Sequence, residues 1–88
     1  MKTIEIKNTN GKILFTHTCE NNTLKITLEK AVFKGAILED ADLEDAILTN
    51  ANLRNANLRN ADLEDAILRD ADLEDANLEG AILKNTIF

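Results

Sequence analysis

Alanine recurs at every fifth position from Ala31 to Ala81, eleven times in all. A large apolar residue follows each alanine by two positions; it is Phe33 in the first unit and leucine in the ten later ones. Polar and charged residues fill most of the other positions, and a shortened twelfth unit, residues 86–88, ends the pattern. A strict short period over about two thirds of a chain is typical of repeat solenoids, which bind partners more often than they catalyse reactions.

A period of five fits neither a straight helix nor a straight strand. On an α-helix, five residues rotate a position by about 140°, so the leucines would spread around the whole cylinder. On a strand, Ala41 and Leu43 share a face, but the next alanine lies an odd number of residues further on and points the other way. Both residue types point inward only if the chain turns once per pentad. The pattern therefore predicts short extended pieces joined by corners around a narrow core of alanine and leucine.

Units such as Ala41–Asp45 (A-D-L-E-D) and Ala56–Asn60 (A-N-L-R-N) resemble the pentapeptide repeat family, whose consensus is close to A-(D/N)-L-x-x. The resemblance covers residues 31–88. It implies an all-β solenoid, a right-handed quadrilateral β-helix with four pentads per coil. Twelve pentads then make about three coils, or roughly 14–15 Å of stacked rungs at the usual strand spacing.

The first part of the chain has a different pattern. Residues 3–7 alternate, Ile13–Thr16 is rich in β-formers, and Asn10-Gly11 between them predicts a hairpin with a type I′ turn. Residues 24–34 fit either a strand or a helix, and we favour a short helix, which Asn22 or Thr23 caps and Gly35 ends. Residues 31–35 are then the end of that helix rather than the first pentad.

We expect one compact domain with two parts, an N-terminal cap (residues 1–35) and the repeats (residues 36–88). The predicted role of the cap is to cover the first coil, because an open solenoid end exposes core residues and unpaired strand edges. No comparable segment follows the last pentad in this sequence, where Leu83, Ile87 and Phe88 are the apolar residues. These three residues form a candidate homodimer interface, and many members of the family are joined at their C-terminal ends. The alternative is that Phe88 alone closes the last coil.

With four pentads per coil, residues twenty apart stack in columns along each face. One column holds Ile47, Ile67 and Ile87, an outward-facing apolar stripe that either binds a partner or only stacks along its own sheet. A neighbouring face is the most acidic part of the chain. It holds Asp42, Glu44, Asp45, Asp62, Glu64 and Asp65. This face either binds a protein with a basic surface or is only a solvated surface that keeps the protein soluble.

Composition narrows the function further. The formal net charge is -6, which argues against nucleic-acid binding. No apolar run is long enough to cross a bilayer and no signal peptide is recognisable, so we expect no membrane contact and a cytoplasmic protein. A lone cysteine, Cys19, fits a reducing compartment. We expect no cofactor and no metal, because Cys19 and the nearby His17 have no second cysteine or histidine to complete a zinc site.

The sequence contains no candidate catalytic residue, because its carboxylates are outward repeat positions and it has no serine or tyrosine. We therefore interpret the chain as a small, non-catalytic protein-interaction or scaffold module. The alternative comes from the resemblance, since some pentapeptide repeat proteins mimic DNA and bind DNA gyrase, a type II topoisomerase. The acidic face is consistent with that role. The length is not consistent with it. The DNA-mimicking members of the family look like rods of many more coils, whereas even two copies of this chain end to end give only about 29 Å of stack.

Overall fold

The computed structural model describes all 88 residues. The chain begins with two antiparallel strands, β1 (Lys2–Lys7) and β2 (Ile13–Cys19), which are followed by helix α1 (Leu24–Phe33). The two strands form a sheet of their own, and their register shifts between Ile6 and Lys7. The predicted hairpin and the favoured helix are both confirmed.

The turn of the hairpin differs from the prediction. A type I′ turn at Asn10-Gly11 needs positive φ at both residues, and only Gly11 has it, at 87°. The turn lies one residue earlier, because the Gly11 N–H donates to the Asn8 carbonyl at 2.9 Å. The Asn8 Oδ1 atom also accepts hydrogen bonds from the N–H groups of Asn10 and Lys12, each at 2.9 Å. The Asn8 side chain therefore organises a loop that an Asn-Gly pair alone does not specify.

Both ends of α1 are formed by the residues that the sequence indicated. At the N-terminus, the Thr23 hydroxyl accepts from the Ile26 N–H at 3.1 Å. At the C-terminus, Gly35 has a φ of 72°, and the Ala36 N–H donates to the Ala31 carbonyl at 2.9 Å, as in a Schellman motif. The helix therefore ends just before the first complete pentad. No helix in the protein has the length and apolar character needed to span a bilayer.

A buried asparagine joins the hairpin to the helix. The Asn22 Nδ2 atom donates to the His17 carbonyl at 2.9 Å, and its Oδ1 atom accepts from the Thr27 hydroxyl at 3.0 Å. A buried amide is stable only when its hydrogen bonds are satisfied. These bonds fix the orientation of α1 against β2.

Each pentad turns at its last two residues, as the odd period requires. The Ala46 N–H donates to the Leu43 carbonyl at 3.1 Å, and the intervening Asp45 has a φ of 63°. Positive φ at the third residue is what a type II β-turn needs. The equivalent bond recurs in ten successive pentads, with donors from Ala41 to Thr86.

Residues twenty apart pair in parallel, and seven such bridges link the repeats. Asp42, for example, is paired with Asp62: the Leu43 N–H donates to the Asp62 carbonyl at 2.8 Å, and the Asp62 N–H donates to the Ala41 carbonyl at 2.9 Å. One turn of the chain therefore takes four pentads, the number that the family resemblance implied.

Alanine and leucine form the core inside these turns. Every alanine and leucine from Leu38 to Leu68 is buried. The equivalent residues of the last turn are half-buried from Ala71 to Leu78, and Leu83 is exposed. Burial therefore decreases towards the C-terminal end of the stack.

Phe33 follows the fivefold sequence pattern but does not point inward. It lies at the end of α1, where each residue rotates by about 100°, so it faces away from the buried Ala31 two positions earlier. The Phe33 residue is 83% exposed. The repeat pattern thus extends into a segment that folds as a helix, with a different set of inward positions.

The hairpin and the helix form specific hydrogen bonds with the first turn of the repeats. The Asp42 N–H donates to the Lys7 carbonyl at 2.8 Å, and the Thr9 N–H donates to the Asp40 carbonyl at 3.0 Å. On another side, the Asn52 N–H donates to the Glu29 carboxylate at 2.7 Å. The N–H groups of Asp62 and Asp72, one turn later, bond to the preceding rung, whereas those of Asp42 and Asn52 are bonded to the hairpin and the helix.

Candidate interaction surfaces

The structure brings the acidic residues of the first two rungs together on one face. Carboxylate oxygens of Asp42, Glu44 and Asp62 all lie within 4.8 Å of one another. The pKa of Glu44 is raised above its usual value, mainly by the negative charge of Asp62 and then by Asp45, with smaller effects from slight burial, Glu64 and Asp42. We call the six predicted residues the acidic face: Asp42, Glu44, Asp45, Asp62, Glu64 and Asp65.

Carboxylates stack on carboxylates on this face, whereas ion pairs cross the rungs elsewhere. Residues twenty apart carry the same charge in three columns of the acidic face, namely 42 with 62, 44 with 64 and 45 with 65. On other faces, Arg54 lies 3.0 Å from Glu74, and Arg59 lies 3.5 Å from Glu79. Like charges opposite each other in a sheet destabilise it. The arrangement of the acidic face therefore opposes folding.

The aspartates of the acidic face also have a local structural role. The Oδ1 atoms of Asp42 and Asp62 accept hydrogen bonds from the N–H groups two residues later, at 3.2 and 3.0 Å. Every Asp or Asn at the second pentad position makes this bond: Asp42, Asn52, Asn57, Asp62, Asp72 and Asn77. Local structure thus accounts for Asp42 and Asp62, but it does not account for the charges of Glu44 and Glu64.

The fifth pentad position is restricted by backbone conformation. Its φ is positive in ten successive pentads, and the residue is always Asp, Asn or Gly, the types that adopt left-handed backbone at least cost. These residues are Asp40, Asp45, Asn50, Asn55, Asn60, Asp65, Asp70, Asp75, Gly80 and Asn85. The fivefold pattern alone predicts only that these positions are solvated. Their restricted composition was the available signal.

The acidic face has the donors for a cation but not the geometry of an enzyme site. Asp42, Glu44 and Asp62 are the only group of three or more potential ligands that converge, and Asp42 and Glu44 are exposed. An acid–base pair needs carboxyls whose surroundings differ, usually in a cleft. His17 and Cys19 lie on β2 and belong to no such group.

The predicted isoleucine stripe forms one continuous column. Ile47 is paired with Ile67, and Ile67 is paired with Ile87. Ile47 and Ile87 are exposed and Ile67 is half-buried. A groove of about 570 Å³ lies at the Ile47 end of the stripe. It is lined by Ile47 together with Glu44 and Asp45, and by residues at the start of α1. The stripe and the acidic face are therefore contiguous.

The C-terminal edge, which we define as Leu83, Ile87 and Phe88, is apolar and exposed. The three residues are 38%, 43% and 61% exposed. The N–H groups of Leu73, Leu78 and Leu83 and the carbonyls of Ala71, Ala76 and Ala81 make no hydrogen bond within the chain. The equivalent groups one turn earlier are all bonded to the next rung. This end thus offers unpaired strand edges beside apolar side chains.

One exposed apolar surface was not predicted. Ile26 and Phe33 lie seven residues apart on α1, on the side opposite the buried Thr27, Leu28 and Ala31. We call Ile26, Glu29, Lys30 and Phe33 the outer stripe of α1. The signal was present in the sequence as a second set of apolar residues at helical spacing, but the fivefold period concealed it.

A family model described as pentapeptide repeats matches the chain with eight copies, over residues 24–50 and 46–85. The matched region includes α1 and most of the repeats. No curated protein and no solved structure gives a significant match to the chain.

Proposed function

The chain belongs to the pentapeptide repeat family, and from this premise we propose that it is a non-catalytic protein-interaction module. Pentapeptide repeats form β-helical solenoids, and proteins of this family are generally non-catalytic. We propose in addition that the repeats, residues 36–88, form a right-handed quadrilateral β-helix of about three coils. Residues 1–35 are then its cap.

The acidic face is the observation that carries this proposal. Its columns of like charge destabilise the fold, and they are not required by the repeat, because neighbouring faces pair opposite charges across the same spacing. An arrangement that opposes folding is expected where a site serves function. A partner with a basic surface would relieve the repulsion. The adjoining Ile47 supplies an apolar contact, which makes the isoleucine stripe part of the same surface.

Capture of partners by a charge-neutralised variant tests the acidic face. The variant carries Asp42→Asn, Glu44→Gln, Asp62→Asn and Glu64→Gln, in which asparagine keeps the hydrogen bonds to the backbone. A matched control removes four charges elsewhere, with Glu39→Gln, Asp40→Asn, Asp70→Asn and Asp75→Asn. We expect proteins retained from a cell extract by the wild type to be retained by the control and lost by the first variant. Equal loss from both variants would contradict the proposal.

We also propose a homodimer joined at the C-terminal edge. The unpaired N–H and carbonyl groups of the last turn support it, because they can pair with the same groups of a second copy. Exposed Leu83, Ile87 and Phe88 would be buried by the same contact. A two-fold arrangement of this kind is self-complementary and closed.

A second candidate function is modulation of DNA gyrase by mimicry of DNA. The stacked carboxylates of Asp42, Asp62 and their neighbours favour it, because they present a row of negative charge along the stack. The assay is gyrase supercoiling with the purified protein, with the neutralised variant described above as its control. Inhibition or protection that the neutralised variant lacks would support this function. Absence of any effect at high protein concentration would exclude it.

A further inference from the structure

The outer stripe of α1 has an unusual composition for a solvent-facing helix surface. Ile26, Glu29, Lys30 and Phe33 lie within about 100° of one another on the helix. Ile26 is 38% exposed, and Phe33 is among the most exposed large apolar residues of the chain. The opposite side of α1 is also apolar and is buried against the rest of the protein. A surface helix normally has one apolar side, so a second one indicates a contact with another molecule.

Two grooves border Phe33 on either side. One, of about 410 Å³, is lined by His17 together with all four residues of the outer stripe. The other, of about 620 Å³, is lined by Glu29, Val32 and Phe33 and by residues 52, 54 and 55 of the repeats. The Phe33 ring therefore projects as a ridge between two depressions, and one of these also contains Ile26.

The charged residues at the centre of the stripe retain unused binding capacity. The Glu29 Oε2 atom accepts the Asn52 N–H and lies 3.7 Å from Lys25 Nζ, whereas Oε1 makes no contact of this kind. Lys30 forms no salt bridge; its Nζ lies 5.8 Å from the centroid of the Phe33 ring. The stripe thus presents one fixed carboxylate and one free ammonium group side by side.

We propose that the outer stripe packs against the same stripe of a second copy of this chain, antiparallel, about a two-fold axis between Glu29 and Lys30. The spacing of the four residues is symmetric about that point. Ile26 then faces the second copy's Phe33, and Glu29 faces the second copy's Lys30, with both contacts repeated by symmetry. A self-complementary surface of this kind is what an isologous contact needs.

A second copy fits this surface better than an unrelated partner does, because the two-fold rotation places Lys30 opposite Glu29 and Phe33 opposite Ile26. The second copy's Phe33 enters the groove beside His17 and Ile26. The contact is small, since a helix of this length spans only about 15 Å. The contact area is therefore well below the roughly 800 Å² that each partner buries in a standard interface. We expect weak association that is detectable at high protein concentration.

Sedimentation equilibrium combined with NMR tests this contact. We expect the wild type to self-associate, with concentration-dependent shifts of the backbone amide signals of α1 and His17. Phe33→Glu places a carboxylate against the second copy's Ile26 and should weaken this association at least tenfold. The fold should survive, because Phe33 is largely exposed. The matched control is Ile37→Glu, which changes an isoleucine that is 69% exposed and lies outside the stripe.

The outcomes distinguish this contact from pairing at the C-terminal edge. Weaker association and loss of the α1 signal shifts in Phe33→Glu, with no change in Ile37→Glu, support the outer stripe. Equal effects of the two variants, or signal shifts confined to residues 83–88, would overturn the proposal. A wild-type protein that stays monomeric up to millimolar concentration would also overturn it.

The antiparallel register has a separate test. In a Cys19→Ala background, Ile26→Cys and Phe33→Cys are combined in one chain, where the two positions are about 10 Å apart along the helix and too far from each other for a disulfide. Mild oxidation should give a covalent dimer faster than in either single-cysteine variant. Equal rates for single and double variants would contradict the register.

Discussion

Two positions of each pentad are restricted by the backbone itself rather than by packing. The fifth residue has left-handed φ, as at Asn50 (64°), and the second accepts a hydrogen bond from the backbone when it is Asp or Asn. Asp and Asn suit both positions because their short side chains bond locally and tolerate left-handed backbone. Much of the acidity of the chain follows from these local requirements. Glu44 and Glu64 are exceptions, because no local requirement calls for a carboxylate there.

Substitution of Asn50 tests the conformational explanation. Asn50→Ala should lower the free energy of unfolding by about 1 kcal/mol, because alanine adopts left-handed backbone at a cost. Asn50→Gly should be neutral within a few tenths of a kcal/mol, because glycine has no Cβ. Chemical denaturation measures both, and Glu39→Ala, at a fourth pentad position, is the control with little effect. Equal losses for alanine and glycine would show that the amide group matters instead.

The raised pKa of Glu44 predicts a specific dependence of stability on pH. The folded protein binds a proton at Glu44 more readily than the unfolded chain does, so stability increases as pH falls through the raised pKa. The gain is complete below the usual pKa of 4.5 and is lost as pH rises through the raised value. Glu44→Gln should therefore be more stable than the wild type at pH 7 and should lose that advantage in acid. Denaturation across pH, with Glu20→Gln as control, measures the difference; an advantage that persists in acid would contradict it.

At the level of structural elements, the sequence predicted more of the interior of the repeats than of their junction with the cap. The odd period of five by itself requires a corner in each pentad. Alternating apolar residues predict the hairpin, and the capping residues favour the helix. The contact of Glu29 with Asn52 was not predictable, because it joins residues far apart in sequence through one side chain. The turn at Asn8 was missed for a related reason: a single side chain moves the turn away from the Asn-Gly pair.

The decrease in burial along the stack predicts graded costs for leucine truncation. Leu38, Leu58 and Leu78 occupy equivalent positions on successive rungs, and only Leu78 is half-buried. Leu58→Ala should cost about 3–5 kcal/mol, as truncation of a fully buried leucine does. Leu78→Ala should cost less than half as much in the monomer. Unfolding measured at low concentration tests this, and equal costs would mean that the last turn is packed as tightly as the middle one.

At the scale of the whole molecule, charge is divided between the cap and the repeats. Residues 1–35 carry six lysines and three glutamates, a net +3, whereas residues 36–88 carry four basic and thirteen acidic residues, a net -9. The overall charge of -6 conceals this division. It affects the proposed dimer at the C-terminal edge, because the last turn of the repeats is acidic.

The proposed dimer at the C-terminal edge should therefore become stronger as salt is added. Two acidic ends repel each other at low ionic strength, and salt screens the repulsion. Phe88→Glu should abolish this dimer without unfolding the protein, because Phe88 is largely exposed. Sedimentation at low and high salt measures the effect. A dimer that salt dissociates and Phe88→Glu leaves intact would contradict pairing at this edge.

The acidic face opposes folding and is therefore expected to serve binding. The most direct test is the free energy of unfolding of the variant with Asp42→Asn, Glu44→Gln, Asp62→Asn and Glu64→Gln, measured at low salt and at about 1 M salt, where the screening length is only about 3 Å. We predict that this variant is more stable than the wild type at low salt and that the gain largely disappears at high salt. The four-charge control with Glu39→Gln, Asp40→Asn, Asp70→Asn and Asp75→Asn should show a smaller gain. Equal gains in the two variants, or none in either, would contradict the claim.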